Sequence, residues 1–360
     1  MDNPSTCNRC LLSSEVPGVK INSDGICSVC IEHDNIWGNW DKVKNDRLRE
    51  LEKMFANAKS KDRIYDVLVP LSGGKDSIYV LYLCRKHFDL KCLAVTWDNG
   101  FLTQHARENI KSACDILAVD HIYYGINHDL LMRLYKYFFL KTGFLCPVCM
   151  RGIQVAISRT QLAFNIPFAV QGTAHRTEEY VAPEFFISGS LDFLENTLEG
   201  NSLKSEASAL LSPVGVFSSP PVIKIPDYLD WNYDEIFDVI TKELNWKSHK
   251  SEAEHTDCAV DNIVNYIRLK KFPALVPEML RYSKLITAGT MSKKNAIEKI
   301  EAHKTSSEKP TNLDWFFDKL QITRKEFDNV LSSDPMRHMK FLRKKSPAIR
   351  RLEALRKRFF

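Results

Sequence analysis

Residues 68–77 read Leu-Val-Pro-Leu-Ser-Gly-Gly-Lys-Asp-Ser: an apolar strand that runs into a glycine turn and then into a helix. Gly73 and Gly74 carry no Cβ, so the backbone there can take positive φ and approach an anion closely. The helix opening near Asp76 has free N–H groups in its first turn, which makes it a ready phosphate site. Lys75 adds a point charge, and the hydroxyls of Ser72 and Ser77 add hydrogen bonds. The stretch therefore predicts a strand–loop–helix cradle for a polyphosphate, with Ser72, Gly73, Gly74, Lys75, Asp76 and Ser77 as its binding residues and Lys75, Asp76 and Ser77 as its catalytic ones.

The loop departs from the common phosphate loop of nucleoside triphosphatases. That motif needs Gly, four residues, then Gly-Lys-Ser/Thr. Aligning Gly74-Lys75 with it puts Val69 at the first glycine and Asp76 where a hydroxyl belongs. Ser72-Gly73-Gly74-Lys75-Asp76-Ser77 instead resembles the SGGxDS loop of the ATP pyrophosphatases, the PP-loop enzymes. The resemblance implies that the loop holds the β,γ-pyrophosphate of ATP while AMP passes to an oxygen of the second substrate.

Outward from the loop, strands alternate with helices. Strand 64–71 leads to helix 76–87, strand 91–97 to helix 103–117, and a short strand at 120–124 to helices 128–140 and 150–164 and strand 167–171. A charged helix at 41–60 precedes them. This alternation predicts an α/β fold, a parallel sheet with helices on both faces built from right-handed crossovers. Ligands on such sheets sit beyond the carboxyl ends of the strands. That edge collects Ser72–Ser77, Trp97-Asp98-Asn99-Gly100 and Gln171-Gly172-Thr173, so Gly172 and Thr173 join the cofactor-binding set. His175 and Glu178-Glu179 follow on the same edge, within reach of the nucleotide or its Mg²⁺. The stretch 184–213 is rich in Ser, Glu and Asn and reads as an insertion or a loop over the site. Beyond Ile223 the pattern turns helical: 233–244, 259–270, 292–303 and 312–330, with Ser292 as an N-cap and Thr323–Glu326 as a capping box.

Ten cysteines in 360 residues, with no charged-then-apolar leader, predict a reducing compartment in which Cys marks metal or chemistry. A cytoplasmic location without membrane insertion is expected. Cys7-x2-Cys10 and Cys27-x2-Cys30 have tetrathiolate spacing, and a segment too small for its own core needs such a metal; structural zinc is expected, with an iron–sulfur cluster as its rival. Cys146-Pro-Val-Cys149 stands before a helix, where the dipole favours thiolate. With Cys258, in Glu254-His255-Thr256-Asp257-Cys258, these thiols form a second metal or iron–sulfur site, a redox pair, or buried structural thiols. Cys84, Cys92 and Cys114 read as core residues.

The formal charge of +5 is unevenly placed: residues 337–360 hold ten of the 50 Lys/Arg and one of the 45 acids, leaving a slightly acidic body. The basic end is either a solvated tail or a surface for RNA or an acidic partner. The expected organisation is a zinc-binding four-cysteine segment at 1–40, an ATP-binding domain at 41–258, a helical region at 259–336 and a basic tail at 337–360.

Several blocks together resemble the N-acetyl sugar amidotransferases, PP-loop enzymes of bacterial surface-polysaccharide synthesis. They are Cys7-Asn-Arg-Cys10, Asp24-Gly-Ile-Cys-Ser-Val-Cys30, Val69–Ser77, Ala94-Val-Thr-Trp97 and His255-Thr-Asp-Cys258, over about residues 5–330. The resemblance implies ATP, Mg²⁺ and Zn²⁺ as cofactors, a sugar-nucleotide substrate whose acetamido group becomes acetamidino, and a separate glutaminase that supplies ammonia. Asp98, at the end of the second strand, is the candidate for holding the nucleoside. Cys146, Cys149 and Cys258 also resemble the 4Fe-4S ligands of PP-loop tRNA thiolases, which implies sulfur insertion with tRNA as partner as the alternative.

Overall fold

The computed structural model describes residues 6–177, 190–212, 221–248, 257–302 and 309–341. His255, Thr256, Glu178, Glu179 and tail residues 342–360, all singled out above, lie outside them.

The chain opens with α1 (Ser28–Trp37) and α2 (Trp40–Ala58), then β1 (Val67–Pro70), α3 (Lys75–Tyr82), β2 (Cys92–Trp97), α4 (Gln104–Leu117), β3 (Asp120–Tyr124), α5 (His128–Thr142), α6 (Cys146–Ala163) and β4 (Phe168–Gln171). A three-helix excursion follows, α7 (Leu191–Thr197), α8 (Leu203–Glu206) and α9 (Ser208–Leu211), before β5 (Val222–Lys224) and α10 (Tyr233–Leu244). The C-terminal part is α11 (Asp261–Lys271), α12 (Pro277–Thr287), α13 (Lys293–Ala302), α14 (Leu313–Leu320) and α15 (Arg324–Ser332).

The five strands form one sheet in the order β3-β2-β1-β4-β5, and each pair is parallel. β1 pairs Val67 with Cys92 on one side and with Phe168 on the other. Its side chains alternate between the two faces. Leu68, Leu93, Val95 and Ala169 join one core with α5, α6, α11, α14 and α15, while Val67, Val69, Ala94 and Val170 join a second core with α2, α3, α4 and α10. Both faces are thus covered, as the near-continuous apolar strands require. The chain leaves β1 for β2 on one side and later places β4 on the other, so the crevice where the connection order reverses lies between the carboxyl ends of β1 and β4.

Three differences from the sequence reading have local causes. The stretch 190–212 is helical and packed, with Phe193, Leu194, Leu198, Leu203, Leu210 and Leu211 buried against α5 and α6. Its polar composition hid an apolar stripe, and Arg151 of α6 pins it by donating to the carbonyls of Leu210 and Ser212 at 2.8 Å each. The stretch 312–330 breaks in two at Gln321, which takes φ 53° after α14, and Thr323–Glu326 then starts α15 with the expected capping box. The helix α12 was not foreseen. Ser292 does cap α13, accepting from the Asn295 amide at 3.1 Å. Among the described residues no helix is long and apolar enough to cross a membrane.

Candidate functional site

The loop after β1 is closed by its own serines. Ser77 Oγ donates to the Gly74 carbonyl at 3.0 Å, accepts from the Ser72 amide at 3.2 Å and lies 3.3 Å from Ser72 Oγ, which in turn accepts from the Gly74 amide at 3.3 Å. Glycine at 73 is required twice: φ is +85°, and a Cβ would sit 2.5 Å from the Ala106 carbonyl oxygen of α4. The Gly73 carbonyl is held from outside by Trp246 Nε1 at 3.0 Å and Asn109 Nδ2 at 3.4 Å. Gly74 is the N-cap of α3 and brings no side chain to cap its first-turn amides.

Across the crevice, the loop after β4 touches it. A Cβ on Gly172 would lie 2.9 Å from Asp76 Cβ and 3.1 Å from the Asp76 carbonyl, so only glycine allows this approach. Asp76 Oδ2 stands 3.2 Å from Lys75 Nζ, and Asp76 Oδ1 accepts from Trp231 Nε1 at 3.0 Å. Burial pushes the Asp76 carboxyl up, but the Lys75 and Arg281 charges and the Trp231 bond outweigh it and leave it below its ordinary value. Lys75 Nζ also lies 4.9 Å from the centroid of the Tyr233 ring. Trp231, Tyr233, Asn109, Trp246 and Arg281 were not read from the sequence. The Trp231-Asn232-Tyr233 run, seven residues beyond the end of β5, was the available signal, because the chain leaves the sheet there at the same edge.

At the end of β2, Asp98 does not stand open. Its Oδ1 accepts from the Gly100 amide and from Arg107 Nη2, both at 3.2 Å. Asn99 Nδ2 reaches Cys149 Sγ at 3.7 Å. Residues 257–259 run antiparallel to 101–103, with the Thr103 amide donating to the Asp257 carbonyl and the Ala259 amide to Phe101. This pairing brings Cys258 to the cluster that also holds Cys146 and Cys149, and turns the Asp257 carboxylate to the Ser72–Ser77 loop, 3.7 Å from where a Cβ on Gly74 would be. Residues over a hundred positions apart thus share one sheet edge, as the parallel topology requires.

Cys146 and Cys149 occupy the first turn of α6 rather than a loop before it. Their surroundings reverse the thiolate expectation: burial pushes Cys146 up to about 12 and Cys149 up to about 11, and raises Cys258 as well. Around them, the buried Tyr135 Oη and Trp97 Nε1 turn to the Cys149 sulfur and, with Asn99, pull its thiol down without offsetting the burial.

The N-terminal thiols behave differently. The Sγ atoms of Cys7, Cys10, Cys27 and Cys30 all lie within 4.8 Å of one another and are buried, the one such group among the described residues. Cys10 and Cys27 are 3.6 Å apart and Cys7 and Cys30 4.0 Å, close to the edge of about 3.8 Å that metal–sulfur bonds of about 2.3 Å give in a tetrahedron. Backbone amides of Leu12, Cys27 and Cys30 point at Cys10, Cys7 and Cys27 sulfurs at 3.5, 3.3 and 3.4 Å. The set fits a metal ion. Hydrogen bonds from Cys10 and Cys27 hold Cys30 low while Cys10 is driven up, an uneven sharing of protons that a cation removes.

Of the remaining candidates, Thr173 lies in the loop after β4, and His175 is oriented by Asp227 through Nδ1 at 2.8 Å, with Lys224 Nζ 2.9 Å from its Nε2. Cys84, Cys92 and Cys114 are core residues as read. Arg337, the first basic residue of the expected tail, is packed and donates to the Phe139 carbonyl at 3.1 Å.

Residues 260–356 match the family model described as "LPS biosynthesis protein WbpG-like, C-terminal domain". An uncharacterized protein of Methanocaldococcus jannaschii is 28% identical over 134 residues, which cover 35% of this chain and 47% of that protein, so the match spans about half of the relative's length. Among solved structures, the U34-tRNA thiolase NcsA from Methanococcus maripaludis with its 4Fe-4S cluster aligns at 17% identity and a TM-score of 0.32, covering 84% of this chain and 89% of that one. The C-terminal match supports the resemblance to enzymes of surface-polysaccharide synthesis drawn from the sequence.

Proposed function

We propose that the chain is an ATP-dependent amidotransferase that converts the acetamido group of an N-acetyl sugar, carried on a nucleotide, into an acetamidino group for surface polysaccharide. The observation that carries this reading is the Ser72–Ser77 loop at the β1–β4 switch point, in a chain whose C-terminal region is similar to a lipopolysaccharide-biosynthesis domain.

An amide oxygen is a poor leaving group and must be activated. The acetamido oxygen attacks the α-phosphorus of ATP; the bond to the bridging oxygen breaks and pyrophosphate departs. Ammonia then adds to the activated carbon, a proton is lost, and AMP leaves with the former amide oxygen. The loop amides, Ser72, Ser77 and Lys75 bind the β,γ-phosphates and take up the charge that develops on them. Asp76 and Asp257, carboxylates beside the loop, would hold the hydrated Mg²⁺ that neutralises the polyphosphate. Gly172 and Thr173 line the nucleotide's other side. Asp98, engaged by Arg107, orients the nucleoside. Zinc on Cys7, Cys10, Cys27 and Cys30 is structural, since four thiolates leave no position for water. Ammonia comes from a separate glutaminase, and the reaction belongs to the cytoplasm.

The test is direct. The protein is incubated with Mg·ATP, ammonium and nucleotide-linked 2-acetamido sugars, and the sugar is analysed by mass spectrometry. A product lighter by the difference between O and NH is expected; unchanged sugar with every acceptor and consumed ATP would contradict it.

One observation favours a second reading. Cys146, Cys149 and Cys258 gather on the same edge, beside Asp257. If they hold a 4Fe-4S cluster, the same adenylation would precede sulfur insertion into tRNA. Anaerobic purification followed by iron and sulfide analysis separates the two readings.

A further inference from the structure

The helix α12 packs one face against the N-terminal tetrathiolate centre and sends Arg281 from another toward Tyr233. Its first face carries Leu280, Ser283 and Thr287, spaced three and four apart. Leu280 packs in the cluster of Cys7, Cys10, Cys27 and Cys30; Ser283 Oγ accepts from the Leu11 amide at 3.2 Å; and Thr287 Oγ1 lies 3.2 Å from Cys30 Sγ. Arg9 completes the joint by donating to the Thr287 carbonyl at 2.9 Å. Arg281, one position on from Leu280, turns away from this face. Its guanidinium lies 5.1 Å from the centroid of Tyr233, the ring that Lys75 also approaches, and 9% of the residue is exposed.

The Arg281 charge also reaches Asp76, whose carboxyl it helps to hold below its ordinary value, so a second cation stands near Lys75 at the loop, and a guanidinium can grip a phosphate through two parallel N–H bonds. Pyrophosphate carries more negative charge than Lys75 alone can match, and Asp76 already draws on that lysine. The Tyr233 ring stands beside both cations.

We propose that Arg281 is a polyphosphate-binding residue of the ATP site, delivered by α12, and that the tetrathiolate centre serves to hold that helix in place. The inference rests on the loop binding ATP and adds a residue from outside the α/β sheet. It gives the N-terminal metal a task in substrate binding rather than in the stability of its own segment alone.

Titration calorimetry of the full-length protein with Mg·ATP, Mg·pyrophosphate and AMP tests it, using wild type, Arg281→Ala and Arg281→Lys. Loss of one charge-assisted contact should weaken pyrophosphate and ATP about ten- to a hundredfold in Arg281→Ala and leave AMP within about twofold. Arg281→Lys, which keeps the charge and loses the planar fork, should recover part of the loss and carries the test if the alanine variant does not fold. Metal content should stay at the wild-type level in the lysine variant. Wild-type pyrophosphate affinity in the variants would overturn the assignment, as would an equal loss of AMP, which marks structural damage. A wild-type protein that binds neither ATP nor pyrophosphate would overturn the ATP reading itself and this inference with it.

Discussion

Two cysteine groups that look alike in sequence become unlike in the fold. Cys7/Cys10/Cys27/Cys30 and Cys146/Cys149/Cys258 both use the CxxC spacing. The first is assembled by local turns, surrounded by backbone N–H groups and closed to within 4.8 Å. The second is assembled by the parallel sheet, across more than a hundred residues, in a lining of Trp97, Tyr135 and Phe101. Spacing thus reports a turn; whether the sulfurs meet closely enough to share protons or a metal is decided by the fold around them. The first group splits, with Cys7 and Cys30 lowered and Cys10 and Cys27 raised, as thiols sharing protons at contact distance do, whereas the second raises all three of its members.

The largest expected contrast is between Cys10→Ser and Cys149→Ser. The first should lose the metal and, with it, a binding free energy on the order of 10 kcal/mol that folds the segment before α2 and steadies α12. Limited proteolysis and metal analysis should show early cleavage and metal near zero. Cys149→Ser should keep the metal and the proteolytic pattern, so matching losses in both variants would erase the distinction.

Gly152→Ala probes the wall of the second group. A Cβ there would lie 2.1 Å from Trp97 Cε2. In an open helix the change would stabilise by up to about 1 kcal/mol, but here overpacking should cost about 1–3 kcal/mol instead. Denaturant unfolding reads the sign. Thr287→Val, which removes the hydroxyl beside Cys30, is a smaller change, worth about 1 kcal/mol by the same measurement.

The smallest effect is in reactivity. With Cys149 pushed up to about 11, the thiolate fraction at pH 8 is on the order of one in a thousand, so alkylation in the metal-free protein should be slow and should rise tenfold per pH unit toward that value. The linkage has the matching sign. A thiol whose folded value is raised adds stability below its unfolded value of about 8.5, and that stability is lost as pH climbs through the folded value. Cys30 in the same metal-free protein should react as an ordinary exposed thiol, because the segment that buries it is unfolded without its metal. Rapid labelling of Cys149 at pH 7, read by peptide mass mapping, would contradict the account of its surroundings.

Much of the α/β part was legible because its signals are local. The apolar runs at 67–70 and 92–97 and the Ser72–Ser77 turn each carry their reason in a few adjacent residues, and the Thr323–Glu326 box marks a helix start. What escaped depends on tertiary neighbours. The helix α12 shows no clean polar face, because Leu280, Ser283 and Thr287 bury against the N-terminal cysteine segment while Arg281 buries toward Tyr233. The segment 190–212 hid its packing among Ser, Glu and Asn. The thiolate expectation for Cys149 used the helix dipole and could not see the apolar wall that outweighs it. The site residues Trp231 and Tyr233 were missed for a related reason: they matter only because β5 ends at the same edge as β1.

The central claim is that the Ser72–Ser77 loop is a pyrophosphate site, and the products of ATP cleavage test it most directly. Phosphorus NMR of a reaction with Mg·ATP, ammonium and a nucleotide-linked N-acetyl sugar should show AMP and pyrophosphate rising together. Both should fall by at least about a hundredfold in Asp76→Ala and Ser72→Ala. ADP and orthophosphate as the main products would contradict the account.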